Sequence, residues 1–210
     1  GLSTGGYNDL SQADVNWNTW LNQVRAYLDN DDNDYINVMM WSWCDITNHN
    51  VSNYLTSMGT LIGEYGPGGS KIGTGSGKTK TIPVTFIFMT GHAVQNANTG
   101  TGRPKEQAQL IIDYCNLHNY YCLDYYSIDT HTMDDVYYED TNDDGVSATG
   151  GSFYLNWQNA HAKGTGWYDN RTSPGGTVSV GEHNNQHITA NRKAFAFWWI
   201  LARIAEWDGD

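Results

Sequence analysis

The chain has 210 residues, enough for one domain with a full core, and its 39% hydrophobic and 13% aromatic content argues against disorder. Lys and Arg total 11 against 23 Asp and Glu, a formal charge of −12 with no basic cluster, which speaks against nucleic acid or anionic membrane as a partner. No apolar run reaches the roughly 18 residues that would suggest a membrane span.

Residues 1–14 are rich in Gly, Ser, Asn and Asp without a period and read as a loop. Asp14 is a good N-cap for a first helix, in which Val15, Trp17, Leu21, Val24, Tyr27 and Leu28 fall near a 3.6 period. Six Asp and Asn residues, 29–34, end it in a turn best read as solvated. Next comes YINVMMWSWCD, Tyr35 to Asp45, a nearly continuous apolar run that stops in polar residues. Its pattern predicts a strand over 35–43, buried on both faces, with Ser42, Cys44 and Asp45 at the carboxyl end where parallel sheets carry their chemistry.

A helix over 51–65 follows, with Val51, Tyr54, Leu55, Met58, Leu61 and Ile62 as its apolar face. Residues 66–80 read as a flexible Gly-rich insertion. Gly77-Lys78-Thr79 resembles the end of a phosphate loop, but Ile72 stands where that loop needs Gly and the segment precedes a strand, so no nucleotide is expected. The second strand spans 82–89 and ends at Thr90-Gly91-His92; a helix over 104–117 has Pro104 in its first turn. Tyr120 to Ile128 reads as a third strand, 129–151 as an acidic loop, 153–163 as a short helix and 188–207 as a long one. That last helix carries Phe195, Phe197, Trp198, Trp199, Ile200, Leu201 and Ile204, too apolar for an exposed surface, and is expected to pack on the sheet.

The order αβαβαβαα predicts a single three-layer α/β domain with a parallel sheet of flavodoxin-like type. Three strands are few for such a sheet, so further strands are expected from upstream sequence or from a partner copy by strand addition. Nine Trp, fourteen Tyr and few Lys suggest an extracellular or cell-surface protein. The sequons at Asn50 and Asn170 point the same way, and Gly1 in place of Met implies a removed leader or a piece of something longer. Cys115 and Cys122 could bridge, or all three cysteines could be buried thiols acting as small hydrophobes.

NVMMWSWCD, VTFIFMTGH, IIDYCNLHNYYCLDYYSID and NRKAFAFWWILARIAEWDG together resemble secreted microbial proteins with an SGNH (GDSL-like) hydrolase fold, over roughly residues 15–210. The resemblance implies hydrolysis of acyl esters by a Ser nucleophile with a C-terminal His as base, the oxyanion held by backbone N–H, Gly and Asn groups. Gly1-Leu2-Ser3 is the faint echo of the G-D-S block, Ser42-Trp43-Cys44-Asp45 stands where G-x-N-D would fall, and Glu182 to His187 where D-x-x-H would fall. Candidate catalytic residues are therefore Ser3, Ser42, Asp45, His92, His183 and His187, the substrate class an acylated carbohydrate. A non-catalytic structural or glycan-binding protein that self-assembles is the other reading.

His183 and His187 are four apart, the spacing of two zinc ligands on a helix; with no zinc-protease Glu and a loop-like segment, a general base or ordinary loop histidines rank ahead of zinc. His92, Asp124 and Asp129 should lie near the same sheet edge as Asp45, as a site or as caps and loop ties. Asp140-Thr141-Asn142-Asp143-Asp144-Gly145 matches D-x-[DN]-x-[DN]-G. Asp140, Asn142 and Asp144 with the Val146 carbonyl could bind calcium, completed by Asp134, Asp135, Glu139 or Asp169; Gly151 stands where the bidentate Glu belongs, and an ion-free Asx turn is the alternative.

Overall fold

The computed structural model describes residues 17–169 and 186–207, with side chains from Thr19 onward. Among the described residues, six α-helices and a parallel sheet of three strands, β1 (Val38–Met40), β2 (Thr85–Met89) and β3 (Tyr121–Leu123), in the order β1-β2-β3, make a mixed α/β fold. The described residues divide into two compact units, 17–40 with 49–86, and 41–48 with 87–169 and 186–207.

The first unit holds α1 (Trp17–Leu28), β1 (Val38–Met40) and α2 (Val51–Tyr65). α1 packs on α2, burying Trp20, Val24 and Leu28 with Tyr54, Met58, Leu61 and Tyr65. Each such side chain contributes on the order of 1.5–3 kcal/mol of burial. Asn50 starts α2 by accepting the Asn53 N–H at 3.0 Å, so the boundary expected from the sequence is the one observed. Arg25 grips Glu64 in two bonds of 2.8 and 2.6 Å.

Residues 66–80 are a tied loop instead of a loose insertion, because their cations and hydroxyls find acceptors. Lys71 and Thr79 both donate to the Asp29 carboxylate, at 2.7 and 2.6 Å, and Tyr65 Oη donates to it at 2.6 Å. The fully buried Lys80 ammonium donates to the carbonyls of Asn33 and Asp34. The Asp29–Asp34 turn, read as solvated, is thus the acceptor for this loop.

The second unit holds α3 (Pro104–His118), β3 (Tyr121–Leu123), α4 (Tyr125–Thr130), the hairpin β4 (Val146–Ser147) and β5 (Gly151–Ser152), α5 (Phe153–Ala160) and α6 (His187–Ile204). β2 (Thr85–Met89) pairs in parallel with β3 in the register Ile87–Tyr121, Phe88–Cys122, Met89–Leu123. α6 packs against β3, α4 and α5.

All three strands are shorter than the apolar runs suggested. The first run yields only Val38–Met40, of intermediate burial, and Ser42 turns its hydroxyl to the Trp43 and Met89 carbonyls. Pro83 has no N–H to give a ladder, and the second strand begins at Thr85. The third stops at Leu123 because Asp124 accepts the Ser127 N–H at 3.1 Å and caps α4, which takes up most of the rest of the expected strand. The sequence reading of α6 also needs correction. Ile188, Thr189, Asn191 and Lys193 are buried, whereas Phe195, Trp198 and Trp199 are 57%, 56% and 48% exposed. Only the first two turns are buried, since the apolar residues further along surround the whole helix.

Candidate functional site at the strand ends

Three segments that follow the strands meet within the second unit. Gly91 permits the meeting: a Cβ there would lie 2.7 Å from Ile46 Cβ and 3.0 Å from the Cys44 carbonyl oxygen. The His92 N–H donates to that carbonyl at 3.0 Å, and the Cys44 thiol hydrogen-bonds the His92 ring. Ring Nδ1 lies 2.8 Å from the Ala93 carbonyl oxygen, an acceptor, so Nδ1 carries a proton. Burial pulls the His92 pKa down, but the thiol, the Ala93 carbonyl and the charge of Asp143 outweigh it and push the imidazole up to about 9.

The residue after His92 is anchored from below. Asp129, fully buried in α4, accepts the Ala93 N–H at 3.0 Å and faces Lys193 Nζ of α6 at 2.7 Å. Burial pushes this carboxyl up, while Lys193 and the Ala93 N–H pull it back. Lys193 also sits over the Tyr125 ring, 4.8 Å from its centroid. Thr90 donates to Asp124 at 3.1 Å and accepts the Tyr126 N–H at 3.0 Å, tying the loop after β2 to the start of α4. Asp143 is pushed up by burial and drawn down chiefly by His92.

The other sequence candidates lie in different settings. Asp45 is exposed and accepts the Thr47 N–H at 2.8 Å. His187 opens α6, stacks on Trp167 at 5.3 Å and has Nδ1 3.6 Å from Asp169. Asp169 also receives Lys163 at 2.9 Å, and Glu139 receives Lys105 at 2.9 Å. Ser3, His183 and the sequon at Asn170 lie outside the described residues, whereas Asn50 is exposed at the start of α2.

The acidic turn uses many of its own oxygens. Asp140 accepts from Ser147 Oγ at 2.7 Å and Ala148 N–H at 2.6 Å, and Asn142 Oδ1 accepts from the Asp144 and Val146 N–H groups. The Val146 carbonyl accepts the Asn142 N–H, and Asp144 Oδ1 the Gln186 N–H at 3.4 Å. Among the described residues no group of three or more His, Cys, Asp or Glu is arranged to hold a metal ion. Nor is any helix among them long and apolar enough to cross a membrane. No disulfide joins any of the three cysteines, and Cys44 is exposed. The Cys115–Cys122 thiol hydrogen bond and burial together push Cys122 well above the ordinary thiol range.

His92 and Asp129 were legible as strand-end candidates. Cys44, Asp143 and Lys193 were not assigned roles with them, although Cys44 stands in the same polar stop as Ser42 and Asp45. A depression of about 550 Å³ lined by Thr99, Gly100, Lys105, Gln109 and Leu110, among others, shares no residue with the cluster. No family model, curated protein or solved structure matches this chain.

Proposed function

We propose that the protein is an extracellular acyl-ester hydrolase of SGNH-like architecture, acting on an acylated carbohydrate. The observation that carries this reading is the contact of the His92 imidazole with the Cys44 thiol, past the carboxyl ends of β2 and β1. Ligands of open α/β sheets gather at such strand ends. With its pKa near 9, His92 holds a transferable proton at neutral pH, as the departure of an alkoxide from an ester requires. Trp41 and Trp43, an edge-to-face pair with centroids 4.9 Å apart, are half-buried just before Cys44 and offer apolar surface to a sugar ring. The test is release of acetate from p-nitrophenyl acetate and from an O-acetylated oligosaccharide. We expect turnover by the native protein and a loss of about 100-fold in His92→Gln. No acetate release by the folded native protein contradicts the reading.

A second reading, a non-catalytic protein that self-assembles, is favoured by a different observation. Phe195, Trp198 and Trp199 on α6, and Trp207 just beyond it, are all exposed. Contiguous apolar surface of this kind marks association sites. Light scattering over a concentration series tests it: growth of mass that Trp198→Asp abolishes supports assembly, and a monomer at all concentrations contradicts it.

A further inference from the structure

The ester-hydrolase reading supplies a proton donor, and the same cluster contains an atom suited to attack. A thiol beside an imidazole is the arrangement that makes a cysteine nucleophilic near neutral pH. None of the three cysteines is in a disulfide; Cys44 is the exposed one, and its thiol bonds the His92 ring. Since Nδ1 donates to the Ala93 carbonyl, Nε2 is the ring nitrogen left to exchange a proton.

The competing hydroxyl at the same strand end is committed elsewhere. Ser42 Oγ lies 2.9 Å from the Trp43 carbonyl and 3.1 Å from the Met89 carbonyl, so its proton points at backbone acceptors. The thiol and the ring are, in contrast, brought together by backbone. The His92 N–H to Cys44 carbonyl bond fixes one loop on the other, Gly91 allows that approach, and Asp129 with Lys193 anchors Ala93. A nucleophile, a proton carrier and a third group that orients the carrier are the parts of an acyl-transfer centre.

We infer that Cys44 is the nucleophile of this centre and forms a thioester with the acyl group of its substrate; the inference rests on the ester-hydrolase reading. In the first half-reaction the thiol loses its proton to solvent and Sγ bonds the acyl carbon. The ester C–O bond breaks and the leaving alkoxide takes the proton from His92. In the second half water attacks the thioester carbonyl and passes a proton to His92, and the C–S bond breaks. The sulfur takes up a proton from solvent as the carboxylic acid leaves, and His92 keeps the proton it took from water. Ester and water become acid and alcohol, with the protein unchanged.

Two measurements on the full chain test this. First, the rate of Cys44 alkylation by iodoacetamide at pH 6 is compared between the native protein and His92→Gln, with Cys44 read out by peptide mapping. We expect the native rate to be at least about tenfold higher; equal rates overturn the inference. Second, acid-quenched incubations with p-nitrophenyl acetate are mapped by mass for an acetyl group on Cys44, alongside steady-state hydrolysis by Cys44→Ala. An acetyl group on Cys44 with hydrolysis lost in Cys44→Ala upholds the inference. Hydrolysis that survives in Cys44→Ala removes Cys44 as nucleophile and leaves the hydrolase reading standing. Fast alkylation without hydrolysis by the native protein overturns both, leaving a reactive thiol of another use.

Discussion

Two polar networks in this chain use similar residue types to different ends. In the first unit, Asp29 is surrounded by three side-chain donors, Tyr65 Oη, Lys71 Nζ and Thr79 Oγ1, each within 2.7 Å. Burial raises its pKa, and the three donors together hold it below the ordinary carboxylate value. The Tyr65 hydroxyl is correspondingly pushed far above its usual range by burial and by Asp29. Such a network resists protonation changes and fastens a loop. In the second unit, the Asp129–Lys193 pair is equally closed, but the group it supports is not: His92 carries a raised pKa and faces an exposed thiol. A saturated carboxylate gives rigidity, whereas a supported imidazole with a soft, accessible partner gives reactivity.

The comparison predicts different responses to mutation. The largest stability effect should come from Lys193→Met, which strands a buried carboxylate and is expected to cost about 3–5 kcal/mol in urea unfolding. The double variant with Asp129→Asn should regain most of that loss; a double variant no more stable than the single would show that the pair is not the cause. Asp29→Ala should cost about 2–3 kcal/mol while leaving the Cys44 alkylation rate unchanged. A slower rate would join the two networks and break the contrast. Gly91→Ala should cost about 1–3 kcal/mol and, unlike Asp29→Ala, slow alkylation, because it pushes the Cys44 and His92 loops apart.

A smaller effect follows from pH. The folded His92 pKa of about 9 lies above its ordinary 6.5, so the stability it contributes is complete below pH 6.5 and is lost as pH rises through 9. Unfolding free energy should therefore fall across that window in the native protein, with the fall reduced in His92→Gln. Equal slopes in the two would refute the assignment. The smallest effect should be that of chelation. With Asp140 and Asn142 oxygens used within their own turn, excess EDTA should move Tm by less than about 2 °C, and a drop of several degrees would instead show a cation bound there.

Local signals carried much of the fold. Pro104 marked the start of α3 and the apolar face of residues 51–62 marked α2, so those starts could be read directly, whereas the end of α3 at Asn119, a left-handed cap, was not among the signals read. The third strand was overread because YYCLDYYSI is apolar throughout, and the one residue that divides it, Asp124, acts through a cap bond that periodicity does not register. The exposed half of α6 was misjudged because hydrophobicity alone does not tell which residues find neighbours. In the site, His92 could be found from its position after a strand. Its partners could not: Cys44 is 48 residues away in a run that reads as apolar, and the Asp129–Lys193 pair joins two helices separated by 64 positions. Neither link leaves a periodic trace.

The most direct test of the thiol–imidazole pair is an NMR titration of the His92 ring protons in the native protein and in Cys44→Ala. The account predicts a midpoint near pH 9 in the native protein that falls toward 6.5 when the thiol is removed. A native midpoint near 6.5, or one unmoved by Cys44→Ala, would contradict it.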